Sequence, residues 1–337
     1  MRALIVLTGP TAVGKTALSI GLAERVGGEI LSADSMQVYR GMDIGSAKIR
    51  AEETRGVPHH LIDVLDPHQE FNVVVFQQLC RQALEGIYER GHIPILTGGT
   101  GFYIQAVLRD IDFTENEENT EYRRELEQLA ARRGPGHLHE MLAAVDPAAA
   151  EAIHAHNLKR VIRALEFYHL TGERISEHNE REAERPSPYR YCYFVLNDDR
   201  ERLYRRIEER VDRMLEEGLV EEVRCLVSRG CQRDMVSMQG LGYKEILDYL
   251  AGEISLEEAV YRIKLGTRHF AKRQLTWFRR EKEVIWLNKP DYGYDEGKIL
   301  EAMIGHLEAA GILTQGNARG CVIAQWNKTP VPQADGM

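Results

Sequence analysis

The stretch Ala3-Leu4-Ile5-Val6-Leu7-Thr8-Gly9-Pro10-Thr11-Ala12-Val13-Gly14-Lys15-Thr16, continued by helical spacing over residues 17–26, decides the fold. Its first six residues form a short apolar run containing β-branched Ile5 and Val6, the pattern of a strand buried in a parallel sheet. The next eight fit G-x-x-x-x-G-K-[ST], between a strand and a helix as that motif requires. Glycines let backbone N–H groups turn toward one centre, and the helix N-terminus adds positive potential. Lys15 adds a mobile charge and the Thr16 hydroxyl can ligate Mg²⁺. Gly9, Pro10, Thr11, Ala12, Val13, Gly14, Lys15 and Thr16 thus predict a cradle for a polyphosphate, which by pattern alone is a nucleotide-binding P-loop.

Working outward, residues 29–33 and 93–97 are further short strands separated by amphipathic segments, the βαβ signature of a parallel sheet covered by helices. From residue 112 to 186 the chain is charged and without strands, with helical spacing over 122–133 and 158–170, and it closes on Pro186-Ser187-Pro188. An alternating strand over 191–196 most simply rejoins the first sheet; helical segments follow over 199–227, 243–250 and 256–282, then a strand over 284–287. The expected fold is α/β: a P-loop NTPase-like parallel sheet flanked by helices, with an all-helical insertion. The expected organisation is a core in two parts, 1–111 and 187–313, an insertion over 112–186, and a tail over 314–337 poor in apolar periodicity and expected to be disordered.

Asp34 closes the second strand, at the sheet edge where parallel α/β proteins bind ligands, and so is expected to face the cradle. There a carboxylate can take a proton from a nucleophile, reach Mg²⁺ through water, or simply cap a following helix. The strand over 93–97 ends in Gly98-Gly99-Thr100-Gly101, where phosphate-cleaving NTPases usually carry an aspartate. The glycines would let a flat ligand approach the backbone, and Thr100 can bond to Asp34 or to a base.

On a helix from Asp199, Arg202, Arg206, Arg210 and Arg213 fall within about 80° of one another, bordering an apolar face, so they can reach an anionic pocket or lace a solvated helix with ion pairs. Residues 262–282 hold Arg262, Lys264, Arg268, Lys272, Arg273, Arg279, Arg280 and Lys282 against Glu281 alone, with Trp277 and Phe278 among them. Such a basic element with aromatics calls for an anionic partner.

That reversal is local. The 337 residues carry 43 Lys plus Arg against 52 Asp plus Glu, a net −9 that argues against a general nucleic-acid coat. No stretch reaches the roughly 20 apolar residues of a membrane helix, and the N-terminal apolar run is too short for a secretory signal, so an intracellular, cytoplasmic protein is expected. Five scattered cysteines without a C-x-x-C pair, and histidine pairs without metal-ligand spacing, support neither a disulfide framework nor a zinc site.

Together these residues resemble the tRNA dimethylallyltransferase, or isopentenyltransferase, family in its bacterial form. The matching blocks are GPTAVGKT at 9–16, DSMQVYRGMDIGSAK at 34–48, GGTGFY at 98–103, KRVIRALE at 159–166, GLGYKE at 240–245 and TRHFAKRQLTWFRR at 267–280. Ser46 stands where the family usually has Thr. The resemblance implies transfer of a dimethylallyl group from its diphosphate to N6 of the adenine 3′ of the anticodon, in tRNAs reading codons that begin with U, with Mg²⁺. It implies Asp34 as general base, Thr16 on diphosphate and metal, and Arg210 on the leaving diphosphate. It also implies tRNA contacts at Asp34, Ser35, Met36, Gln37, Thr100 and Arg123, at Lys159, Arg160, Val161, Ile162 and Arg163, and at Gly240, Leu241, Gly242, Tyr243, Lys244 and Glu245. From the basic segment Lys272, Arg273, Arg279 and Arg280 are added to the candidate tRNA contacts. The expected partners are the tRNA anticodon stem-loop and dimethylallyl diphosphate, taken by a monomer. The competing readings are a P-loop kinase acting on a small metabolite, a non-catalytic tRNA-binding protein, and an enzyme prenylating free adenine nucleotides.

Overall fold

A computed structural model describes residues 1–113 and 121–313; the expected tail over 314–337 lies outside them. The chain divides into two compact units, Met1–Leu108 with the chain from Pro188 onward, and Arg109–Ser187.

In the larger unit six parallel strands form one sheet: β1 (Arg2–Thr8), β2 (Gly28–Ala33), β3 (His59–His60), β4 (Ile93–Gly98), β5 (Tyr189–Asn197) and β6 (Ile285–Asn288). Their order is β3-β2-β4-β1-β5-β6. β1 is central, with Leu7 opposite Thr97 of β4 on one side and Phe194 of β5 on the other. The strand after the insertion therefore does rejoin the first sheet. Leu4 to Leu7 are wholly buried, because both faces of a parallel sheet are covered.

Helices α1 (Lys15–Val26), α2 (Val73–Glu89) and α3 (Gly101–Leu108) follow strands and bring the chain back over the sheet. α1 begins at Lys15, two residues before the predicted start, and ends at Gly27, whose φ of 63° favours glycine. The Asn72 side chain caps α2 by accepting from Val74 and Val75 N–H. In the smaller unit α4 (Glu121–Arg133), α5 (Pro135–Val145), α6 (Pro147–Ala152), α7 (Leu158–Thr171) and α8 (Ile175–Glu184) enclose their own core of Leu126, Leu138, Leu142, Val161 and Leu165.

The predicted helix over 199–227 is two helices, α9 (Arg200–Glu216) and α10 (Leu219–Ser228), broken at Gly218 with φ of 102°. α11 (Tyr243–Leu250) lies where expected. The long basic helix, α12 (Leu256–Phe278), stops four residues short of Lys282, so Arg279 and Arg280 lie beyond its last turn. α13 (Glu296–Ala309) had no counterpart in the sequence reading; its Ile299, Leu300, Met303 and Leu307 join α1 and β5 in the main core. No helix among the described residues is long and apolar enough to cross a membrane.

Candidate active site

The cradle turns between β1 and α1. At Gly9 a Cβ would stand 2.3 Å from the Leu196 carbonyl oxygen, so only glycine lets β5 pass this close. Ala12 and Gly14 take positive φ values of 63° and 103°, which turn the backbone as an anion nest requires. Lys15 folds back, donating from Nζ to the Gly9 and Pro10 carbonyls, both at 2.9 Å. Burial, and after it the Arg210 charge, bring its pKa down to about 7, while Asp34 pulls the other way. Thr16 is exposed at the first turn of α1.

Arg210 reaches the cradle from α9 and donates to the Thr11 hydroxyl at 3.4 Å. Its pKa is lowered by burial, with Arg213 and Arg206 adding to the effect and Asp34 opposing it. Arg202, Arg206, Arg210 and Arg213 all line the same cavity of about 880 Å³, joined by Arg205. The stripe therefore borders a pocket, and its exposed Arg202 also pairs with Asp198 at 3.7 Å. Across the cavity, Asp34 Oδ1 accepts from Met36 N–H at 2.8 Å and from Gln37 N–H at 3.4 Å. It closes a turn, and no helix follows to be capped. No hydrogen bond to its second oxygen occurs among the described residues, and that oxygen is available to take a proton.

Gly98, Gly99 and Gly101 make room for the protein's own packing. Added Cβ atoms there would lie 2.2 Å from the Ala33 carbonyl oxygen, 2.0 Å from Gln274 Nε2 and 2.2 Å from the Trp277 ring. Gly98 and Gly99 also line the cavity, where their backbone is open to a ligand. Gln274 was missed in the sequence: buried on α12, it accepts from Thr11 N–H at 2.9 Å and donates to the Gly99 carbonyl at 2.9 Å, tying the cradle to the end of β4. Lys289, also missed, is 5 % exposed and donates to Val13 O at 3.3 Å. Thr100 stands at the start of α3, and no hydrogen bond joins its hydroxyl to Asp34 among the described residues.

The remaining candidates fall into three groups. Gly240, Gly242, Tyr243 and Glu245 are buried, and Glu245 caps α11 by accepting from Gly242 N–H at 2.9 Å. In the helical unit Val161 and Ile162 belong to the core, which leaves Lys159, Arg160 and Arg163 to present side chains to solvent. There too Arg123 donates to buried Glu166 through Nε and Nη2, the shortest contact being 2.6 Å. On α12 the charge is divided. Arg262, Lys264 and Arg268 pair with Glu258, Asp212 and Glu208, all at 2.6 Å. Lys272, Arg273, Arg279 and Arg280 are exposed, three of them around a shallow depression beside Trp277.

Among the described residues no group of three or more His, Cys, Asp or Glu side chains is placed to hold a metal. A cation here would need the oxygens of a bound phosphate compound, with Thr16 supplying a hydroxyl.

Cradle, arginines and a carboxylate around one cavity define a P-loop α/β protein whose site suits a phosphate compound. Comparison with known proteins narrows this. The IPP transferase family model matches residues 37–281 and the isopentenyl transferase model residues 2–66. A tRNA dimethylallyltransferase of Lachnoclostridium phytofermentans is 61% identical over 301 residues, 89% of this chain and 96% of that protein. One from Geobacillus kaustophilus is 50% identical over 88% of this chain and 93% of that protein. The crystal structure of the tRNA isopentenylpyrophosphate transferase from Bacillus halodurans superposes with a TM-score of 0.70 at 46% identity, covering 93% of this chain and 99% of that one. A eukaryotic dimethylallyltransferase captured acting on tRNA gives 0.74 at 31% identity, covering 86% and 74%. The chain belongs to the IPP transferase family, among the tRNA dimethylallyltransferases.

Proposed function

We propose that the protein transfers the dimethylallyl group of dimethylallyl diphosphate to N6 of the adenine 3′-adjacent to the anticodon, in tRNAs reading codons that begin with U. The observation that carries the chemistry is the placement of Asp34, with one free carboxylate oxygen, across one cavity from Lys15 and Arg210. An allylic diphosphate loses pyrophosphate to give a resonance-stabilised cation, so catalysis chiefly requires cations where negative charge develops. Lys15, Arg210 and the cradle amides stand there. The N6–C1 bond forms as the C1–oxygen bond breaks; the amine proton passes to Asp34 and pyrophosphate stays with the cradle. Mg²⁺ on the diphosphate, with Thr16 as its protein ligand, would add Lewis-acid charge neutralisation.

A base within an anticodon stack must be extruded to enter such a pocket. The exposed cations Lys272, Arg273, Arg279 and Arg280 suit contacts to tRNA phosphates. A tRNA substrate supports a cytoplasmic place of work.

Incubating the protein with unmodified tRNA, dimethylallyl diphosphate and Mg²⁺, then analysing nucleosides by mass spectrometry, tests this reading. N6-dimethylallyladenosine is the expected product. ATP turnover without tRNA would replace the proposal with a kinase, and tRNA binding without alkylation would replace it with a binding protein.

A further inference from the structure

Glu222, on α10, lines neither the cradle nor the cavity described above, yet its carboxylate is the most heavily engaged acceptor near the Asp34 loop. Oε2 accepts from Asp43 N–H at 2.9 Å and from Ile44 N–H at 2.7 Å. Oε1 accepts from Gly45 N–H at 3.1 Å and from the Tyr243 hydroxyl at 2.8 Å. Three consecutive amides pointing at one centre make an anion nest, and here the anion is a side chain from a distant part of the sequence. Tyr243 is wholly buried and closes the arrangement from α11; a Cβ on Gly45 would stand 2.5 Å from its ring, so the loop lies flat against it.

From this nest a short chain of contacts runs to the base. The next two carbonyls, of Ser46 and Ala47, accept from Gln37 Nε2 at 3.3 and 3.5 Å. Gln37 Oε1 accepts from the Ser32 hydroxyl at 2.9 Å, and Gln37 N–H is one of the two donors holding Asp34 Oδ1. Gln37, Ser46 and Ala47 all face the cavity. A charge-assisted anchor at residues 43–45 is thus two contacts away from the orientation of Asp34.

We propose that Glu222 is a positioning residue for the transfer reaction, fixing through the 43–45 amides and Gln37 the wall of the cavity that carries Asp34. The inference rests on the transferase reading above. Misplacing a general base by about 1 Å is enough to lower turnover about a hundredfold, whereas no hydrogen bond among the described residues joins the cradle to this loop.

The test is Glu222→Ala, assayed with and without added formate, which can enter the vacated nest and accept from the same amides. The expected result is a ten- to hundredfold fall in kcat, with pyrophosphate affinity and the KM for dimethylallyl diphosphate within about twofold of wild type. Formate should restore part of kcat, and neutral formamide should not. Tyr243→Phe, which removes one donor and leaves the three amides occupied, should lose less activity and ignore formate. Amide hydrogen exchange at residues 43–45, measured without tRNA, should quicken in Glu222→Ala and slow again with formate. Should Glu222→Ala fail to fold, Glu222→Gln keeps the shape but sets an NH₂ group against backbone donors, and it too should lower kcat alone. Wild-type kcat in a folded variant overturns the proposal, as does a loss that formate leaves untouched and that follows the fraction of folded protein. Wild-type enzyme that alkylates no tRNA would defeat the transferase reading beneath it, whereas active wild type with an insensitive Glu222→Ala defeats this proposal alone.

Discussion

Binding of diphosphate should draw a proton onto Lys15. In the free protein burial and Arg210 hold this lysine at a pKa of about 7. It is then about one-tenth neutral at pH 6, half neutral at pH 7 and nine-tenths neutral at pH 8. Pyrophosphate in the cradle puts several negative charges beside Nζ, which reverses the balance and returns the group to the ammonium form. Proton uptake on binding should therefore climb from about 0.1 to about 0.9 per site between pH 6 and pH 8. Calorimetric titration with pyrophosphate, in two buffers of different ionisation enthalpy at each pH, reads the number directly. Lys15→Arg is the control: it stays charged throughout, so its titration reports only the protons that pyrophosphate itself exchanges. The same shift bears on stability. The folded-state value lies below the unfolded 10.5, so the unfolded chain binds more protons between pH 7 and pH 10.5. The residue's contribution to stability accordingly rises with pH across that window, and saturating pyrophosphate should remove the rise. Equal proton uptake by wild type and Lys15→Arg at pH 8 would refute the reasoning, because it would mean the free protein already holds Lys15 as a cation.

Asp34→Asn should keep tRNA affinity while alkylation falls by about 10² to 10⁴; near-normal turnover at saturating substrates would remove Asp34 from the role of base. Arg210→Ala should slow transfer and weaken inhibition by pyrophosphate, since developing charge loses a partner, and unchanged inhibition would count against that contact. Replacing Arg273, Arg279 and Arg280 together by Gln should flatten the salt dependence of anticodon stem-loop binding by up to about two log units per log unit of salt, with dimethylallyl diphosphate affinity unchanged; parallel slopes would take these residues off the tRNA. Outside the lining of the cavity, buried Glu29 accepts from Arg90 at 2.8 and 2.7 Å and from His60 and His92 at 2.6 Å. Burial resists its charge, but these donors outweigh that and hold its carboxyl far below the usual 4.5. The stability it contributes is present above that pH and lost as pH falls beneath it, so Glu29→Gln should cost about 2 kcal/mol or more at pH 7 and progressively less in acid, measured by urea unfolding.

Local spacing made the cradle legible. Glycines, Lys15 and Thr16 act on a ligand through backbone they themselves shape, and Asp34 is placed by the end of its own strand. The arginine stripe was legible for the same reason, since helical periodicity alone puts the four side chains on one side. What escaped reading is held by distant parts of the chain. Gln274 meets Thr11 across most of the sequence, and Glu222 meets Asp43 to Gly45 from another helix; neither residue stands in a pattern that announces its partner. The glycines of residues 98–101 show in the sequence that room is needed, but not that Gln274 and Trp277 take up part of it. Gly218 was passed over inside a helical pattern that continues on both sides of it, although its left-handed backbone ends α9. Val161 and Ile162 were carried along with their basic neighbours, whereas the apolar side of α7 claims them for the core.

The place of β1 in the sheet has a consequence for how the protein is made. β1, which leaves the ribosome ahead of β4 and β5, lies between them, and its β5 edge finds no partner until residues 189–195 have been synthesised. At about 5 to 20 residues per second this leaves the wholly apolar run Leu4 to Leu7 with one open edge for about 10 to 40 s. During that interval the nascent chain offers a bare template for pairing with other nascent chains. Translation of the helical insertion lengthens the exposure, and a chain released after residue 108 would keep that edge open permanently. Such a fragment should be captured by chaperones or aggregate, whereas β5 covers the same edge in the folded protein.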